Sequence, residues 1–241
     1  MNYEQIIKKL RSLANPKNVA GMARFGINSK NTLGVPVPKL RDLAKKIGKD
    51  PAFAKAPAGR HKLAQRLWNS KIHEARMLAS MIDDPKLVTE KQMGDWTNDF
   101  NSWDVCDQTC MNLFVFAKPA YKKCFEFPKR KEEFVRRTGF TLMACFAFKR
   151  KDVKDNDLIK FFPVIKKYST DERNFVRKAV NWALRQIGKR NIRLNKGAIK
   201  TAKEIQKIKM NSKSAKWIAY DAIKELESKA VQKRIKKYDS R

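Results

Sequence analysis

Phe175-Val176-Arg177-Lys178-Ala179-Val180-Asn181-Trp182 is the stretch that decides the fold. A basic residue stands near its start, and small and apolar positions follow at helical rather than strand spacing. Working outward, the same pattern recurs in His73-Glu74-Ala75-Arg76-Met77-Leu78-Ala79, in Phe134-Val135-Arg136-Arg137-Thr138-Gly139-Phe140 and in Ser214-Ala215-Lys216-Trp217-Ile218-Ala219. Ser102 to Asn112 takes the same slot with acidic residues in place of basic ones. The starts lie about 30 to 40 residues apart, the period of stacked helix pairs of the HEAT or armadillo kind. Stacked pairs curve into a solenoid, and a basic residue recurring in one slot would line its concave face. The simpler account, in which Arg merely begins a solvated turn, covers one repeat well and several repeats less well.

The rest of the chain agrees with an all-α reading. Ile6, Ile7, Leu10 and Leu13 make one apolar helix face, and Leu40, Leu43, Ala44 and Ile47 make another that ends at Gly48. Pro36, Pro38, Pro85, Pro119 and Pro163 punctuate the chain where helices begin. Asp83-Asp84-Pro85 and Ser169-Thr170-Asp171 read as loops and caps. Helical periodicity continues through Ile205, Ile208, Trp217, Ile218, Ala222 and Leu226. The expectation is one HEAT-like-repeat domain over residues 1–241, ending in a frayed basic tail from about residue 228 to 241.

Charge narrows the function. The 241 residues include 55 Lys and Arg against 24 Asp and Glu, a formal net charge of +31. Such an excess repels itself in the folded state and serves no purpose in an enzyme of small metabolites. A polyanionic partner offsets the repulsion, and neutralised phosphates release condensed counterions. At 42% hydrophobic residues the chain builds a core rather than a disordered basic tail. No apolar run approaches the roughly 18 residues that would span a bilayer, and Met1 to Ala14 is amphipathic rather than signal-like. The expectation is a cytoplasmic, DNA-associated monomer with no membrane partner. Cys106, Cys110, Cys124 and Cys145 lie in apolar helical segments without a nearby His, so four reduced thiols are expected and no metal. His61 and His73 stand isolated, and Trp68, Trp96 and Trp217 read as packing residues.

The segment Asp95-Trp96-Thr97-Asn98-Asp99-Phe100-Asn101-Ser102-Trp103-Asp104-Val105-Cys106-Asp107-Gln108 concentrates four carboxylates and two tryptophans in a basic chain. Ser102 fits an N-cap, and Asp104 in the first turn suits the helix dipole. Trp103 and Asp107, at i and i+4, share a face. Asp107 lies beyond the cap positions among Val105, Cys106, Cys110 and Met111, so its carboxylate needs another reason to be there.

These residues carry a resemblance to the AlkD-like DNA alkylation repair family, HEAT-like-repeat glycosylases that remove N3- and N7-alkylated purines. The carriers are Met22-Ala23-Arg24-Phe25, Leu33-Gly34-Val35 with Pro38 and Arg41, Ser102-Trp103-Asp104-Val105-Cys106-Asp107, Phe134-Val135-Arg136-Arg137 and Ala179-Val180-Asn181-Trp182-Ala183-Leu184-Arg185. The resemblance implies that Asp107 is the catalytic carboxylate and that Trp103 and Trp182 contact the lesion-bearing nucleotide. It implies that Arg137, or Arg136 one residue earlier, holds a backbone phosphate, with Arg177, Arg185, Arg41 and Phe25 also at the DNA. Phe25 departs from the family tyrosine, keeping a ring and losing a hydroxyl. A fixed carboxylate would stabilise the sugar cation that forms as the N-glycosidic bond breaks, and indole faces would attract a cationic base. Trp182 and Trp103 also fit a packing role in their apolar surroundings.

The leading expectation is therefore a monofunctional, cofactor-free alkylpurine DNA glycosylase of base excision repair, acting on duplex DNA. The alternative, favoured by Phe25, is a non-catalytic DNA-binding repeat protein that recognises bent or branched DNA. A third class, a protein-interaction scaffold, fits the repeats and conflicts with the charge.

Overall fold

A computed structural model describes residues 1–50, 57–208 and 211–239. The architecture is all-α and built of helical repeats, with no strand among the described residues. Two compact units divide the chain, Met1–Pro119 and Ala120–Arg241.

The first unit contains α1 (Tyr3–Ser12), α2 (Pro16–Ala23), α3 (Val37–Lys49), α4 (Pro57–Asn69), α5 (His73–Ile82), α6 (Glu90–Asn98) and α7 (Trp103–Asn112). Asn2, Asn15 and Thr89 start α1, α2 and α6 by accepting a backbone N–H of the first turn. α3 runs through Gly48 to Lys49, one residue beyond the expected stop, and is capped at Asp50. α5 is the central helix: it packs against α3, α4 and α7, and nearly every one of its residues is buried. Trp68 of α4 stacks on Trp96 of α6 with centroids 4.0 Å apart, so both are packing residues as expected.

The second unit contains α8 (Ala120–Glu126), α9 (Glu133–Lys149), α10 (Asp155–Ile159), α11 (Phe162–Lys167), α12 (Asn174–Gly188), α13 (Ile192–Gln206), α14 (Lys213–Leu226) and α15 (Lys229–Asp239). α9, α12 and α14 pack side by side as one layer, and α11 and α13 pack behind α12 and α14 as the second. The stretch quoted first is the opening half of α12. Its buried stripe is Val176, Ala179, Val180, Ala183, Leu184 and Ile187. Residues expected as a frayed tail are helical up to Asp239, because Val231 and Ile235 bury one side of α15 and Gln232 donates to Asn195 Oδ1 at 3.1 Å. All four cysteines are buried.

Arg190 closes the C-terminus of α9 from the neighbouring repeat. Its guanidinium donates to the carbonyls of Phe146, Ala147, Arg150, Lys151 and Val153 at 2.6–3.5 Å. A helix end leaves such carbonyls without intrahelical partners, and a cation there also suits the dipole. Arg190→Ala strands these acceptors where water reaches them poorly. We expect a loss of about 2–3 kcal/mol in urea unfolding, the scale of charged hydrogen bonds; an unchanged midpoint would show that the carbonyls find other partners.

Candidate nucleic-acid interface

In the first unit the segment from Phe25 to Val35, which joins α2 to α3, is held in place by the start of α5. Buried Glu74 accepts the backbone N–H groups of Leu33, Gly34 and Val35 at 2.9, 2.6 and 3.2 Å. The His73 N–H donates to Asn31 O at 2.9 Å. Gly34 sits at φ +76°, and a Cβ there would lie 2.3 Å from the Asn15 carbonyl, so only glycine fits. The clamp fixes a segment that begins with Phe25, whose ring is 73% exposed.

The same helix reaches α7. His73 Nε2 lies 2.9 Å from Asp104 Oδ2, and Asp104 Oδ1 accepts the Ser102 hydroxyl at 2.7 Å and the Val105 N–H at 3.0 Å. His73 is therefore not isolated, and Asp104 is more than a helix-start charge. Ser102 occupies the N-cap position, although its hydroxyl serves Asp104 rather than the backbone. Half-buried Trp103 donates its indole N–H to Phe25 O at 3.0 Å, tying α7 to the clamped segment. Asp107 lies one turn further along that face and is buried. Arg41 donates to Gln108 Oε1 at 3.3 Å.

In the second unit, α9, α12 and α14 present aromatic rings among cations. Phe134 and Phe175 stack at 5.7 Å, Phe148 and Trp182 lie 5.9 Å apart, and Arg177 rides 5.3 Å above Trp217. Trp182 is half-buried on the side of α12 away from its apolar stripe, with Lys178, Arg185 and Lys189. Tyr220 of α14 is 66% exposed beside Lys224. Trp217 and Tyr220 were not expected here: Trp217 read as a packing residue and is exposed instead. Two aromatics spaced i, i+3 among Lys213, Lys216 and Lys224 were the available clue.

Three of the expected DNA-contacting arginines are engaged by partners within the protein. Arg137 is buried and donates to Phe175 O at 2.6 Å, joining α9 to α12. Arg136 donates to Pro128 O and pairs with Asp171 at 2.7 Å, and Arg185 pairs with Glu225 at 2.5 Å. Lys131, Arg136, Tyr168, Thr170, Asp171 and Arg173 line an open recess of about 430 Å³ at the starts of α9 and α12. Burial alone would push the Asp171 carboxyl up. Hydrogen bonds from Arg173 and Arg136 outweigh that, and it titrates below the usual carboxylate range.

Comparison with known proteins follows from this geometry. Residues 6–226 match the family described as "DNA alkylation repair enzyme". No curated protein matches the chain. A solved structure matches with a TM-score of 0.74 at 17% identity, covering 93% of this chain and 95% of its own. It is described as belonging to "a new family of proteins related to the HEAT-like repeat DNA glycosylases with affinity for branched DNA structures". At this identity the likeness shows the fold.

That finding overturns the expected hydrolase assignment. The matched relative is described by its affinity for branched DNA structures. Among the described residues no helix is long and apolar enough to cross a membrane.

The Asp171 cluster has a pH signature. Its folded-state pKa lies below the unfolded value, so its contribution is present above the ordinary Asp range and is lost as pH falls through the folded value. Acid unfolding followed by circular dichroism from pH 5 to pH 2 should therefore show a shallower loss of stability in Asp171→Asn than in the unaltered protein. Parallel acid limbs would remove Asp171 from the account.

Proposed function

The chain belongs to the DNA alkylation repair enzyme family, and from that premise we propose that it is a DNA-binding member that recognises branched or sharply bent DNA without base-excision chemistry. One observation carries this reading. The exposed rings of Trp217 and Tyr220 stand among cations on α14, beside half-buried Trp182 of α12, in a chain of net charge +31.

Lysines on helical faces bind backbone phosphates and carry no sequence information. Exposed rings add what linear duplex DNA cannot use. Bases in an intact duplex are stacked on each other, whereas a branch point offers unstacked faces to Trp217, Tyr220 and Phe25. Flexible or kinked steps lower the cost of the distorted geometry, so shape is read as energy. The affinity for branched DNA ascribed to the matched relative supports the same partner.

The site residues take roles within this reading. Trp182, Arg177 and Arg185 belong to the DNA-facing layer, and Arg41, Trp103 and Phe25 form a second contact in the first unit. Arg136 and Arg137 act by joining helices. A carboxylate repels phosphate, so Asp107 is not an anchor, and Asp107→Asn leaves DNA affinity similar or raises it.

Fluorescence anisotropy with a four-way junction and a linear duplex of the same length tests the proposal. We expect at least tenfold tighter binding to the junction. Trp217→Ala with Tyr220→Ala should weaken junction binding by about tenfold or more, since a base–aromatic stack contributes about 1–3 kcal/mol. Equal affinity for the two DNAs would contradict a branch-recognising function.

A further inference from the structure

The second layer of the second unit carries its own cationic stripe. Lys196, Lys200, Lys203 and Lys207 follow one another at i, i+4, i+7 and i+11 along α13 and are all exposed. The buried residues of α13 are Leu194, Asn195, Ala198, Thr201, Ala202 and Ile205. At 100° per residue the lysines point directly away from that set, and therefore away from α12 and α14. Trp182, Lys178 and Lys189 point away from the buried stripe of α12 in turn. The two cationic faces thus lie on opposite sides of one double layer of helices.

This stripe is not accounted for by internal pairing. Lys203 reaches Glu227 only at 3.9 Å. Glu204, the acid beside the stripe, is taken by Lys166 at 2.8 Å. Lys200 and Lys207 act on that same carboxylate at longer range and, with Lys166, hold it below the usual carboxylate range, so one acid answers several lysines. Like charges at i, i+4 destabilise a helix, and so few acids do not offset a run of four lysines, so an anion covering the face would relieve a standing cost.

We propose that this face of α13 binds the phosphate backbone of a second duplex arm, while the aromatic layer of α9, α12 and α14 holds the branch. The proposal rests on the reading of the chain as a branched-DNA binder and extends it. Geometry separates the two surfaces. Packed helices lie about 8–10 Å apart axis to axis, so the faces of a two-helix layer stand about 20 Å apart. DNA has a persistence length of about 150 base pairs, and a short linear duplex on one face does not turn back onto the other. Two arms leaving a branch point do not face that bending cost. The stripe spans about 16 Å of helix, which matches about five base pairs of duplex rise.

The test uses the full chain with Lys196→Glu, Lys200→Glu and Lys207→Glu combined, and a second variant with Gln at the same positions. All three side chains are exposed, so folding is checked simply by circular dichroism. Anisotropy is measured with a four-way junction, a linear duplex and vesicles containing phosphatidylserine. The expected result is a loss of at least about tenfold in junction affinity, a smaller loss for the Gln variant, and linear-duplex affinity within about twofold of the unaltered protein. Equal losses on both DNAs, or no loss on either, overturn the second-arm site while leaving branch recognition by the unaltered protein standing. An unaltered protein that does not prefer the junction overturns both. Loss of vesicle binding with unchanged junction binding assigns the stripe to an anionic membrane surface and also overturns the proposal.

Discussion

Polar groups of one repeat find their partners in the next, and the second unit depends on that constraint. Arg136 reaches Asp171, Arg137 reaches Phe175 O, Asn181 reaches Asp221 and Arg185 reaches Glu225, each about 35 to 40 residues along the chain. Glu172 accepts from the Ser212 and Ser214 hydroxyls and the Ser214 N–H, and these bonds hold its carboxyl below the usual range. A buried polar group is costly without a partner, so a slip of register would strand several at once. The repeat period is in this sense a hydrogen-bonding requirement as much as an apolar one.

This constraint sorts the cations. Arginine forks serve the joints between helices, where a planar guanidinium satisfies two or more acceptors. Arg190 is the extreme case, with five carbonyls. Lysines are left to the exposed faces, on Lys178 of α12 and on the stripe of α13, while Lys189 pairs with Glu225 at 2.8 Å. In the first unit Glu74 plays the organising part, because it holds the Phe25-to-Val35 segment against α5 and so sets where an exposed ring stands.

Much of the fold was legible because helical period and repeat spacing are local properties. Val176, Ala179, Val180 and Ala183 mark their own buried stripe, and Ser102 marks the N-cap position of α7. The site was less legible, because its parts are joined across long stretches of chain. Nothing near His73 in sequence announces Asp104, and nothing near Trp103 announces the Phe25 carbonyl. Resemblance alone assigns Arg137 to a phosphate, and local sequence does not show that the start of α12 covers it and accepts from its guanidinium at Phe175 O. Trp217 read as core because tryptophan usually is, yet Arg177 covers one of its faces and the rest is open. The glycosylase expectation failed for a related reason. A carboxylate and two indoles at family spacing bear on family membership, and a shared fold does not fix a chemistry.

The central claim is that binding runs through phosphates on helical faces, and the salt dependence of junction affinity tests it most directly. If about six phosphates are neutralised, affinity should fall about 1,000-fold between 50 and 200 mM salt, a slope of about −5 in log affinity against log salt. A flat dependence would contradict the account and leave the excess of lysines without the partner assigned to it.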